Sequence, residues 1–146
     1  MGIAVSVGKV DILPLLNGDI FPKFNVLSVC GLNGIAAEDA VLVIGEGAEI
    51  FTEEISAVSV IINADEQISS RRWQGLSVIT CGISGKNTVS VTSKTTDRIT
   101  LSLNRSIHTL KGLCEPLEYP VTFIDSIDDY DYMAAFAVSL LLGNIE

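Results

Sequence analysis

Four apolar runs that do not alternate with polar residues constrain this chain most. Residues 26–30 (VLSVC), 40–44 (AVLVI), 58–62 (VSVII) and 76–80 (LSVIT) are each closed by Gly, Asn or Asp. A strand with one wet face alternates apolar and polar residues; one covered on both faces of a parallel sheet does not. The runs therefore predict a mostly parallel sheet with both faces covered. Between them, 35–39 is too short to cross over. Residues 48–57 carry Ile50, Phe51 and Ile55 against a set of acids, and 66–75 could supply one or two helical turns.

The texture changes after residue 87. Segments 88–95 (TVSVTSKT) and 98–104 (RITLSLN) alternate β-branched or apolar residues with polar ones about Thr96-Asp97, the pattern of a hairpin with one wet face. A further strand is expected over 119–124 (YPVTFI). The last element is a helix over 128–142, stopped by Gly143-Asn144, with Ser126 or Asp128 as cap and an acidic first turn facing the positive end of the dipole. Its body, 133–142, is apolar nearly all round, which predicts burial on more than one side. The fold expected is α/β: a mostly parallel, Rossmann-like sheet with an appended antiparallel hairpin and a buried C-terminal helix. With no internal repeat or linker, 1–146 reads as one domain.

Bulk properties narrow the function. The net charge is −9 and the pI about 4.4. Nucleic-acid binding rests on basic residues that neutralise phosphates, so it is not expected here; the one adjacent basic pair is Arg71-Arg72. Only 18% of residues are charged, below the about 25% of ordinary domains, while mean hydropathy is +0.46. Part of the surface is therefore expected to be covered, by a second copy or a partner protein, with Arg71, Arg72 and Trp73 as candidate contacts. The opening MGIAV lacks a basic start and breaks at Gly8-Lys9, and no apolar run reaches the roughly 20 residues of a membrane span. No leader, no membrane and a cytoplasmic setting are expected. Cys30, Cys81 and Cys114 are too far apart for a zinc site and odd in number, so all three read as buried, reduced thiols.

Few residues offer chemistry. The stretch 81–88 (CGISGKNT) glances at a phosphate-binding loop, but Thr80 stands where its first glycine belongs, Asn87 follows the lysine, and a strand rather than a helix comes next. It reads as a glycine turn into the hairpin. Asn63-Ala64-Asp65 closes a strongly apolar strand. Ligands gather at strand carboxyl ends in open α/β sheets, where an amide and a carboxylate could read an adenine edge or a ribose; an ordinary Asx turn is the plainer reading. Gly45-Glu46-Gly47 carries the same ambiguity. Glu115 with Glu118, and Asp125 with Asp128, Asp129 and Asp131, are paired carboxylates that acid–base work would need in different environments; the second set lacks the spaced ligands of a calcium loop, and solvated helix-capping charge is the plainer reading. His108 is the one imidazole that a nucleophilic cysteine could use, and nothing in the sequence places them together. No metal site and no catalytic set are expected.

The runs VSVIINADE and LSVITCGIS, the hairpin TVSVTSKTTDRITLSLNR and the helix YMAAFAVSLLLG together resemble the later part of the central domain of Mur-type ATP-dependent amide ligases. Those enzymes carry an NADD turn after a strand, a following vitfG strand, a small hairpin and a helix reading NALAAIAAALxLG. The likeness spans residues 58–143. It implies base contact at Asn63 and the family's first acidic position at Asp65, with ATP or another adenine nucleotide as ligand; Gly82, which closes the neighbouring run, is a further candidate ligand contact. The family's phosphate loop and its carboxylate-and-histidine magnesium site have no counterpart in residues 1–57, nor has its C-terminal ligase domain. The resemblance thus implies a relative that kept the sheet without the phosphoryl-transfer parts. Two expectations follow: a non-catalytic interaction or assembly domain that self-associates or docks on a partner protein, and, as the alternative, an adenine-nucleotide-binding domain.

Overall fold

A computed structural model describes residues 2–32, 35–36, 40–50, 55–65 and 76–143. In chain order the elements are β1 (Ile3–Val7), β2 (Asn25–Val29), β3 (Gly31–Leu32), β4 (Ile35–Ala36), β5 (Ala40–Ile44), β6 (Glu49–Ile50), β7 (Ile55–Ser56), β8 (Ser59–Asn63), β9 (Val78–Cys81), β10 (Val89–Lys94), β11 (Arg98–Leu103), β12 (Ile107–Thr109), β13 (Gly112–Cys114), β14 (Leu117–Thr122) and α1 (Asp129–Leu141).

Eight strands form one sheet in the order β14-β11-β10-β9-β8-β5-β1-β2. From β2 to β9 every pairing is parallel, and β10 joins β9 in parallel through Val89 and Cys81. Strands β10, β11 and β14 then run antiparallel, with a register shift between Val91 and Ser93. This is the α/β, mostly parallel, Rossmann-like sheet with an antiparallel hairpin and a helix packed on it.

The absence of alternation in the apolar runs has a direct cause. Ala4, Val41, Val43, Ile61 and Ile79 point to the face that carries α1. Their neighbours Val5, Val7, Leu42, Ile44, Val60 and Ile62 form a separate buried cluster on the other face, with Ala48, Ala57 and Leu76 packed against it. Both faces are dry, so both sets of positions are apolar.

Helix α1 is buried from Tyr132 through Leu141. The sheet covers one side. Val10, Ile12, Leu15, Leu16, Phe21 and Phe24, from the segment between β1 and β2, belong to the same core. Phe21, Tyr119 and Phe136 stack in a row with centroids 6.0 and 5.8 Å apart, tying that segment to β14 and the helix. The helix stops where the Leu142 amide donates to Val138 and Gly143 takes a φ of +82°, a conformation glycine adopts freely. The β12–β13 hairpin closes this end, the Leu110 amide donating to the Leu141 carbonyl at 2.9 Å.

Several details depart from expectation. Asp128 occupies the N-cap position, but its side chain makes no capping hydrogen bond. The described ends of the 48–57 crossover pair as short strands, β6 with β3 and β7 with β4. Of the cysteines only Cys81 is buried; Cys30 is exposed and Cys114 half-buried, because they lie at the end of an edge strand and on a surface hairpin. No helix among the described residues is long and apolar enough to cross a membrane.

Candidate functional site

Among the described residues, polar or accessible groups from which a site could be made gather in several places. The first is the carboxyl end of β8 and β9. In the parallel register Asn63 sits beside Cys81, and the Ala64 amide donates to the Cys81 carbonyl at 2.8 Å. This brings Asn63, Asp65 and Gly82 together, as the sequence reading expects. The Asp65 amide donates to Asn63 Oδ1 at 3.0 Å, an Asx turn, and the Ile83 amide donates to Asp65 Oδ2 at 3.2 Å. A Cβ on Gly82 would stand 2.4 Å from Asn87 Nδ2 and 2.9 Å from Asp65 Oδ1, so the glycine is required by these side chains themselves. Asn87 Nδ2 donates to the Ser84 carbonyl at 3.0 Å, and Asn104 Nδ2 to the Asn87 carbonyl at 3.0 Å. The 82–88 loop is thus a knitted turn that enters β10 rather than a helix. Its Lys86 amide donates to Ser84 Oγ at 3.2 Å, as a glycine turn would have it.

The second place is the switch point of the sheet. The chain leaves β1 to form β2 on one side and returns to form β5 on the other, and in open α/β sheets ligands gather where strand order turns in this way. There the Lys9 amide donates to the Glu46 carbonyl at 2.7 Å. A Cβ on Gly8, whose φ is +84°, or on Gly45 would come within 2.7 Å of opposing backbone, so close backbone crossing accounts for these two glycines, while Gly47 is set by its φ of +75°. A cavity of about 320 Å³ opens beside them, lined by Gly8, Lys9, Val10, Asp11, Asp128 and Asp131. Asp131 was expected as solvated charge, but α1 turns it inward. Burial pushes its carboxyl up to about 6; the Asp11 amide, which donates to it, opposes the rise, and the Asp128 and Asp11 charges add to it. Its neighbour Asp129 faces out and pairs with Lys94 at 3.1 Å. Sequence gave no signal for the cavity, because Asp11 and Asp131 meet only through the docking of α1.

Another place is the β2 edge of the sheet, which no described residue pairs. Asn25, Leu27 and Ser28 are exposed, and Leu27 keeps 51% of its surface in contact with solvent. The Gly8 amide donates to the Val29 carbonyl, so Val29 and Leu27 turn their backbone groups to β1 while Val26 and Ser28 turn theirs outward. The apolar run 26–30 marks this strand but not its position at the edge.

The remaining candidates do not combine. His108 is exposed on β12 opposite Leu113, whereas Cys114 lies opposite Ile107, on the other face of that hairpin. Burial, with the Asp65 carboxylate adding to it, pushes the Cys81 thiol far up and keeps it from serving as a thiolate. Among the described residues no three His, Cys, Asp or Glu side chains are placed to hold a metal ion. Arg71, Arg72 and Trp73 lie outside the described residues. No protein-family model, curated protein or solved structure matches this chain.

Proposed function

We propose that this chain is a non-catalytic interaction domain that takes up an extended polypeptide along the open edge of β2, on a sheet of the kind found in the central domain of Mur-type ligases. The half-exposed Leu27 on an end strand that no described residue covers carries the reading. A sheet edge is a template for another strand unless charge, proline, a bulge or a covering segment blunts it. The opposite edge, β14, carries Glu118 and Pro120. Strand β2 reads NVLSV and carries neither charge nor proline. The outward backbone groups of Val26 and Ser28 would supply main-chain hydrogen bonds and Leu27 an apolar contact, the ingredients of strand addition.

A fluorescent peptide of alternating valine and threonine is a suitable probe, since strand addition draws its affinity from the main chain. Saturable binding is expected to the parent chain and not to Val26→Pro, which removes an outward N–H and sets a ring in the partner's path. Leu27→Lys, which keeps every main-chain bond, should weaken binding as well. No saturable binding to the parent chain, or equal binding to Leu27→Lys, contradicts the reading.

A second reading, adenine nucleotide at the carboxyl end of β8 and β9, is favoured by the convergence of Asn63, Asp65 and Gly82. Thermal melting with millimolar ATP, ADP or AMP tests it. A rise in Tm that Asn63→Ala abolishes supports it; an unchanged Tm removes it.

A further inference from the structure

We propose that the polypeptide taken up at the β2 edge is a second copy of this chain, paired antiparallel about a two-fold axis that passes between the two Leu27 residues. This rests on the edge-docking reading and names its occupant.

The argument starts from the outward groups. Val26 and Ser28 face away from β1, one on each side of Leu27. Antiparallel strands exchange both N–H and C=O between directly opposed residues whose groups face each other. Setting Leu27 against Leu27 of the second copy therefore puts Val26 opposite Ser28, and by symmetry Ser28 opposite Val26. Every outward backbone group of the central three residues is satisfied in that register, and the strand is complementary to itself, which a closed two-fold interface requires. Leu27, whose own groups face β1, forms the non-hydrogen-bonded pair, where side chains approach most closely.

Charge points the same way. A chain of net charge −9 repels its own copies over most of its surface. Between Asp19 and Glu38 the one charged residue is Lys23, so β2 itself brings no acidic side chain to the contact. Five residues bury little area, so the dimer is expected to form and dissociate with concentration rather than to be obligate.

Cysteine trapping with light scattering tests the arrangement. In a Cys30→Ser, Cys114→Ser background, Leu27→Cys places two thiols on a non-hydrogen-bonded pair whose Cα atoms are about 4.5 Å apart, within disulfide reach. Mild oxidation of the concentrated protein should give a covalent dimer, and Asn25→Cys in the same background should give much less. Untrapped parent protein should approach twice its 15.6 kDa chain mass as concentration rises, and Leu27→Lys should stay at one. A doubled mass without preferential trapping at residue 27 overturns the two-fold register. A single-chain mass at every concentration, with the valine–threonine peptide still bound, overturns the second copy as occupant and leaves edge docking standing. A single-chain mass with no peptide bound removes both.

Discussion

The Tyr130 hydroxyl donates to the Ile44 carbonyl at 2.5 Å and lies 3.3 Å from the Ile61 carbonyl, fixing the first turn of α1 over the carboxyl end of β5 and the middle of β8. Strand carbonyls at a sheet end have no ladder partner of their own, so a hydroxyl in this place both satisfies one and sets the helix's position. The inward turn of Asp131 follows from that position.

Tyr130→Phe removes this donor and leaves the ring in place. It should lower unfolding free energy by about 1–2 kcal/mol, the usual consequence of leaving a part-buried carbonyl without its donor. Urea denaturation reads this directly; an unchanged midpoint would mean that the helix is held by packing alone.

Asp131 should make stability depend on pH. Its carboxyl is raised from 3.8 to about 6 in the folded chain. The folded state thus binds the proton more tightly than the unfolded state does. The resulting stabilisation is complete below about pH 4 and is lost as pH rises through about 6. Asp131→Asn, which cannot ionise, should match the parent chain at low pH and exceed its urea midpoint above pH 6. Parallel curves for the two proteins from pH 4 to 8 would rule out the buried carboxyl as the source.

At the β8–β9 end, Gly82→Ala drives a methyl into Asn87 and Asp65. A loss of about 1–3 kcal/mol is expected from overpacking, and Asn87→Ala in the same chain should recover part of it. Additive losses in the double variant would show that the clash is not with Asn87.

Phe136 is fully buried and stacks on Tyr119. Its replacement by Ala should cost about 3–5 kcal/mol, a large part of the about 5–15 kcal/mol by which such domains are stable. Calorimetry should show a much lower Tm, and a small shift would mean that the core between α1 and β14 can collapse into the space.

Much of this architecture was legible in the residues because local pattern and burial agree. The runs at 26–30, 40–44, 58–62 and 76–80 overlay β2, β5, β8 and β9 within one or two residues, and the helix expected over 128–142 is α1. Once those strands are parallel neighbours, Asn63 and Gly82 must share an edge, so their convergence was legible too. Strand β1 was not, although IAVSV carries one serine just as VLSVC and VSVII do: the run stops at Gly8-Lys9, and only the sheet brings Ser6 to Ser28 Oγ at 3.0 Å. The cover of α1 by Ile12, Leu15, Phe21 and Phe24 follows no period, since that segment is neither helix nor strand. Cys30 looked buried because its strand is apolar; only the sheet order reveals an edge. Edge position depends on which strands pair, and that is a property of the whole chain.

Residue-resolved amide exchange at rising protein concentration tests the edge-docking account most directly. In dilute solution the outward amides of Val26 and Ser28 should exchange fast and those of Leu27 and Val29 slowly. At high concentration, or with the valine–threonine peptide present, Val26 and Ser28 alone should slow. Slow exchange of Val26 and Ser28 in dilute solution, or exchange that neither concentration nor peptide alters, would contradict it.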